Sequence, residues 1–130
     1  MNLSASLIVT ATLMVFGGFF SRWQKTAPDL DQQVLDQLKK AGSDMSKPHN
    51  IEFFLYFENQ EAADRAAKQV EKDVENAKVQ RAANDSAWLC FATKRMVPDH
   101  EELVRLRKRF NSIASESQGE YDGWGTEVVK

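Results

Sequence analysis

A chain of 130 residues is long enough for one ordinary domain with its own core and too short for two of typical size. Its 17 Lys and Arg against 19 Asp and Glu leave a formal net charge of -2, which excludes the strongly basic footprint of a bulk nucleic-acid binder. The single cysteine, Cys90, excludes an intrachain disulfide, fits a reducing compartment, and reads as a packing residue rather than a nucleophile because its neighbours are apolar.

Leu3 to Phe20 carries no charged side chain. As a helix this run would reach about 27 Å, close to the ~30 Å hydrocarbon core of a bilayer. Trp23 follows at interfacial level, with Arg22 and Lys25 beside it. Ser4, Ser6, Thr10, Thr12, Gly17 and Gly18 weaken the run without forbidding insertion. A cleaved signal peptide fits less well, because Met1-Asn2 has no basic side chain and Phe19-Phe20-Ser21-Arg22 is a poor cleavage site. The expectation is a membrane anchor and linker over residues 1–26 and a single domain over residues 27–130. An apolar tail that packs or stays unstructured is the alternative. Basic residues lie only on the C-terminal side of the run, so the positive-inside rule sets the domain on the cytoplasmic side.

Within the domain, Asp29 is an N-cap candidate, and Leu30, Val34, Leu35, Leu38 and Ala41 recur at helical spacing up to a stop at Gly42. Ser43 to Asn50, with Pro48, reads as a loop. Ile51 to Glu58 alternates as a strand: Ile51, Phe53, Leu55 and Phe57 form a core face, and Glu52, Phe54, Tyr56 and Glu58 a mixed one. Asn59 then caps a helix whose apolar face is Ala63, Ala67, Val70 and Val74. Lys78 to Ala83 predicts a weak strand and Asn84-Asp85 a turn. Ser86 to Met96 predicts a strand, and the nearly continuous apolar character of Trp88-Leu89-Cys90-Phe91 suggests a central strand buried on both faces. Asp99 and Glu102 have capping-box spacing ahead of the core stripe Leu103, Leu106, Phe110 and Ile113. Gly119 closes that helix, and Tyr121 to Val129 forms the last strand. A helix followed by β-α-β-β-α-β predicts an α+β, ferredoxin-like sandwich with an extra N-terminal helix, preceded by one transmembrane helix.

Catalytic chemistry is hard to assemble from this inventory. His49 and His100 have no second ligand at metal spacing, and His100-Glu101 is not an HExxH motif. Gly123-Trp124-Gly125 lacks the strand-then-helix context of a phosphate-cradling loop. Asp99, Glu101 and Glu102 suit a helix start better than acid catalysis. No enzymatic activity, cofactor or metal is expected.

The β-α-β-β-α-β order is also that of RNA-recognition domains, which stack bases on aromatics of two central strands. Phe54, Tyr56 and Trp88 could share such a face, but Glu52 and Glu58 would repel phosphates and neither strand carries the consensus. Covering of these aromatics by the helix over Asp29 to Ala41 is the favoured reading, a protein-binding surface comes next, and base stacking last. Arg105, Arg107, Lys108 and Arg109 form the one basic run. It reads as a solvated helix face with a Glu101–Arg105 i,i+4 pair, the alternative being a contact for an acidic partner or anionic lipid through Arg105 and Arg109.

The most distinctive word is Glu120-Tyr121-Asp122-Gly123-Trp124-Gly125-Thr126, two glycines around a tryptophan where propensity alone would not place a strand. It resembles the terminal motif of the RraB family, protein regulators of ribonuclease E. Gly42-Ser43-Asp44, followed by Ile51-Glu52 and Leu55, resembles the same family at similar relative positions, so that the likeness runs from about Asp29 to Val129. The resemblance implies an α+β fold of the same kind, no reaction and no cofactor. It implies binding to a protein partner, ribonuclease E or its assembly, and a lowering of that partner's activity. Combined with the anchor, it implies a bacterial inner-membrane protein, single-pass, with its domain in the cytoplasm.

Tyr121, Asp122 and Trp124 are then candidate partner-binding residues beside Arg105 and Arg109. The other reading of the word is structural, with Gly123 and Gly125 making room for the indole. Family members of the type that carries this motif are soluble and strongly acidic, with an acidic tail beyond it; here the third helix is basic and the sequence given runs to Lys130. An envelope interaction or structural domain unrelated to RNA decay is the alternative function, and an RNA-binding domain the less favoured one.

Overall fold

The structure is a computed structural model that describes residues 8–10, 29–83 and 86–130. In chain order its elements are β1 (Ile8–Thr10), α1 (Leu30–Lys40), β2 (His49–Phe57), α2 (Gln60–Val70), β3 (Asn76–Arg81), β4 (Trp88–Met96), α3 (His100–Glu116) and β5 (Glu120–Glu127). From β2 onward this is the β-α-β-β-α-β run, with α1 ahead of it. The sheet is antiparallel in the order β1-β5-β2-β4-β3.

Each helix begins where a short polar side chain can satisfy a free amide. Asp29 accepts from the Gln32 amide at 3.1 Å, Asn59 from Ala62 at 2.8 Å, and Asp99 from Glu102 at 2.9 Å. Glu102 does not complete the capping box; its carboxylate is held by Arg105 instead. The α1 helix closes through Gly42, whose φ of 92° lets the Ser43 amide reach back to Leu38. At the end of α3 the positive φ falls on Gln118, at 58°, not on the glycine. Gly119 is required for a different reason: a Cβ there would run into the Phe57 ring and the Tyr56 carbonyl. The α2 helix ends at Val70, so Val74 lies in the following turn, still packed against the core.

All three helices lie on one side of the sheet. The α2 helix covers β3 and β4, α3 covers β5 and β2, and α1 packs against α3. Ile51, Phe53, Leu55 and Phe57 point into this layer with Leu38, Leu103, Leu106, Phe110 and Trp124. Phe53 meets Phe110 edge-on with ring centroids 5.1 Å apart. Cys90 belongs to the same core, and burial, with Glu71 adding to it, pushes its thiol up to about 11, so it packs rather than reacts.

Three expectations need correction. The extra helix does not cover Phe54 and Tyr56; it sits on the opposite side, because its own apolar stripe of Val34, Leu35 and Leu38 seals the end of the core. Trp88 does not share a face with those two aromatics. It pairs with Phe57, so strand alternation turns it toward the helices, while Phe91 pairs with Phe54 on the other side. And β4, although internal to the sheet, is helix-covered on one face only.

Within the run Leu3 to Phe20, the described residues Ile8–Thr10 form an edge strand rather than a helix, paired with Gly125, Thr126 and Glu127 of β5. Three β-branched residues suit that role, and β5 would otherwise present unpaired backbone groups there. The rest of the expected anchor lies outside the described residues, as does the Asn84-Asp85 turn. Among the described residues no helix is long and apolar enough to cross a membrane.

Candidate functional site

Four of the five candidate binding residues are held inside the molecule or in ion pairs. Trp124 is 1% exposed, and its indole N–H donates to Asp31 Oδ1 at 2.8 Å. Asp31, also 1% exposed, receives both Nε and Nη2 of Arg107 at 2.9 Å. Burial opposes the charge on Arg107, and Asp31 more than restores it, so the guanidinium stays ionised. Tyr121 lies under Arg107, with the guanidinium carbon 5.6 Å from the ring centroid. Its hydroxyl is buried without a hydrogen-bond partner, and burial raises its pKa. The tryptophan and tyrosine of the terminal word therefore build a buried ion pair and its lid, and offer almost no surface.

Arg105 and Arg109 are spoken for as well. Arg109 Nε reaches Asp73 Oδ2 at 2.9 Å, and Arg105 Nη1 lies 3.4 Å from Asp73 Oδ1. Arg105 also grips both oxygens of Glu102, at 2.9 and 2.8 Å, so the pair is i,i+3 with Glu102 rather than i,i+4 with Glu101. Burial works to raise Asp73, but Arg109 and Arg105 hold its carboxyl below the usual range. These contacts fasten the turn after α2 to α3.

The two stretches that carried the family likeness meet in space. Val129 donates its amide to Ser43 Oγ at 2.9 Å, and its carbonyl accepts from the Asp44 amide at 2.6 Å. Ser43 Oγ lies 2.7 Å from Nε2 of the fully buried His49, and His49 Nδ1 donates to the Lys47 carbonyl at 2.8 Å. In the neutral ring Nε2 then accepts from the Ser43 hydroxyl. This serine–histidine contact is sealed from solvent and closes the chain's end onto the α1–β2 loop; it is no nucleophile pair. Among the described residues no group of three His, Cys, Asp or Glu is placed to hold a metal ion.

The fifth candidate, Asp122, lies on the side of the sheet without helices. That open face centres on Phe54 and Phe91, whose rings lie 5.5 Å apart between centroids, with Tyr56 and Leu89 beside them. Phe54, Tyr56 and Phe91 are each half-buried. Pairing places Glu52 opposite Gly125 and Tyr56 opposite Glu120. Between these pairs β5 carries an extra residue opposite Phe54, and Gly123, with φ of 99°, takes the conformation that the bulge needs.

The open face is therefore asymmetric. Its β5 side bears Glu52 and Glu127 at one end and Glu120 and Asp122 at the other; Lys78 of β3 lies on the far side, and Arg95 of β4 stands by the Glu52 and Glu127 end. Burial, reinforced by Glu127, raises the pKa of Glu52, and burial, reinforced by Glu120, raises that of Asp122. Burial and then Asp122 raise Tyr56. Among the described residues none of these four carboxylates has an ion pair. Phe91 was missed as a surface residue because its apolar neighbours suggested double burial. The signal that could have found it is register: once Phe53 faces the core, its antiparallel partner Ala92 does too, and Phe91 turns outward.

An open sheet face of this kind presents aromatic and acidic side chains that a partner can bind. None of the curated proteins compared matches the chain. The sequence model of one family, RraB, described as Regulator of ribonuclease activity B, matches residues 29–126, from the cap of α1 to the buried threonine of β5. That span covers the three helices, the sheet apart from β1 and the terminal word together, and the chain belongs to the RraB family.

Proposed function

We propose that this chain is a non-catalytic regulator that binds a ribonuclease E-type enzyme, or its assembly, and lowers its activity. The observation that carries this reading is the open sheet face: half-buried aromatics flanked by unpaired carboxylates, in a domain of the RraB family. Exposed aromatic surface is what protein interfaces use as anchors. The acidic border disfavours RNA itself, whose phosphates it would repel. The test is isothermal calorimetry of the full chain against ribonuclease E from the same organism, with cleavage of an RNA oligonucleotide followed in parallel. Micromolar or tighter binding with slowed cleavage is the expected result; a folded chain that neither binds nor slows cleavage would remove the reading.

The proposal has a second part, the location. The uncharged run Leu3 to Phe20 followed by Arg22 and Lys25 supports a single-pass tether in a bacterial inner membrane with the domain in the cytoplasm. Insertion as a helix would take Ile8–Thr10 off the edge of β5, so tethering and β1 pairing exclude each other. A C-terminal alkaline phosphatase fusion, active only outside the cytoplasm, should stay inactive while the chain sediments with membranes. Activity of that fusion would instead favour an envelope interaction domain.

A further inference from the structure

The open face is more specific than an acidic patch. Along β5 the bulge opposite Phe54 holds Asp122 and Gly123, and Gly125 lies opposite Glu52. Both glycines are buried and add no side chain, so beside the Phe54 and Tyr56 rings this stretch of β5 presents only Asp122. A depression lies at each end. One, of about 200 Å³, has Glu52, Glu127 and the single cation Arg95 in its wall; the other, of about 340 Å³, has Glu58, Glu120 and Tyr56. Glu52 and Tyr56 are four positions apart on β2, which at strand rise separates the two acidic ends by about 13 Å.

We infer that this face receives an extended cationic segment of the protein partner, with two arginines four residues apart and an apolar side chain midway between them. The inference rests on the proposed regulatory function and assigns it a contact surface. In an extended chain, residues i, i+2 and i+4 point to one side at about 3.3 Å per residue. Two such arginines meet the two acidic ends, and the residue between them meets Phe54. Arginine suits the site better than lysine because its guanidinium both forks onto a carboxylate and stacks on an aromatic ring. Glu52 and Asp122 are half-buried, each near an exposed second carboxylate, Glu127 and Glu120, so a cation relieves a repulsion that already exists. A second copy of this chain would bring the same acidic border to the contact, and RNA would bring phosphates.

The probe is the heptapeptide Gly-Arg-Gly-Leu-Gly-Arg-Gly, titrated into the ¹⁵N-labelled full-length chain. Amide shifts should concentrate at Glu52, Phe54, Asp122 and Gly125 and shrink as salt is raised. Glu52→Gln with Asp122→Asn should weaken binding about tenfold, whereas Asp64→Asn, an exposed acid on α2, should change it less than about twofold. Shifts spread over α2 and α3, or an equal loss with Asp64→Asn, would reduce the site to general charge and overturn it. So would tighter binding of oligouridylate than of the peptide, or a dimer that Phe54→Ser turns into monomer. Ribonuclease inhibition separates this inference from the function beneath it. A wild-type chain that binds the peptide but leaves ribonuclease E active defeats the regulatory reading alone. A double variant that loses the peptide yet inhibits like wild type defeats this contact surface alone.

Discussion

The two faces of one sheet are built on opposite terms. On the helix side buried polar groups are largely matched: Asp31 satisfies both Arg107 and the Trp124 indole, and His49 is held from Ser43 and Lys47. On the open side Glu52 and Asp122 are half-buried, raised in pKa and without ion pairs. Satisfied networks specify a fold, whereas unrelieved charge beside half-buried rings is a surface kept for something else. The same eight-residue strand supplies both, because alternation sends Tyr121 and Trp124 inward and Asp122 outward.

The largest effects that would test this contrast lie on the helix side. Trp124→Ala should lower unfolding stability by about 3–5 kcal/mol in urea denaturation, because it opens a cavity and strips a hydrogen bond from Asp31. Phe54→Ala, on a ring already partly in water, should cost about 1–2 kcal/mol. Equal losses would erase the distinction between the faces. Trp124→Ala is then a poor probe of binding, since a lost interaction could not be told from a lost fold.

Asp31→Leu should cost about 3–5 kcal/mol by leaving Arg107 buried and unpaired, and adding Arg107→Met should recover most of it. A double variant as unstable as the sum of the two singles would show that the pair does not act as a unit. Gly119→Ala should cost about 1–3 kcal/mol through its contact with Phe57 and the Tyr56 carbonyl, read as a lowered melting temperature.

The smallest effects have opposite signs on acidification. Asp73 has a lowered folded pKa, so its clasp on Arg109 and Arg105 contributes above the unfolded value near 3.9 and is lost as pH falls through the folded one. Glu52 and Asp122 have raised folded pKa values, so their ionisation opposes folding and stability rises as pH falls through those values. Glu52→Gln should therefore leave stability at neutral pH within about 0.5 kcal/mol of wild type, or slightly above it, while Asp73→Asn lowers it by up to about 1 kcal/mol. Comparing both variants at pH 4.5 and pH 7 by denaturant titration reads the two signs directly.

Local signals were legible before any coordinates. Asp29, Asn59 and Asp99 announced the three helix starts because a cap needs only a short acceptor and the next free amides. Alternation over Ile51 to Phe57 announced β2 and its core face, and the terminal word announced the family. What lies across the sheet was not legible. Whether Trp88 or Phe91 shares a face with Phe54 depends on a register that no single strand contains. Asp31 reads as a polar helix residue, and only the arrival of Arg107 and Trp124, many residues away in the chain, makes it the centre of a buried ion pair. The side on which α1 docks was likewise settled by tertiary packing, because an amphipathic stripe demands a cover without naming it. Sequence thus determined the elements from α1 onward, their order and the kinship, since each is written in neighbours a few residues apart, while the edge strand Ile8–Thr10 was not read from it. The division into a sealed face and an open acidic one was decided by long-range pairing, where apolar burial and charge find partners that the chain alone does not set side by side.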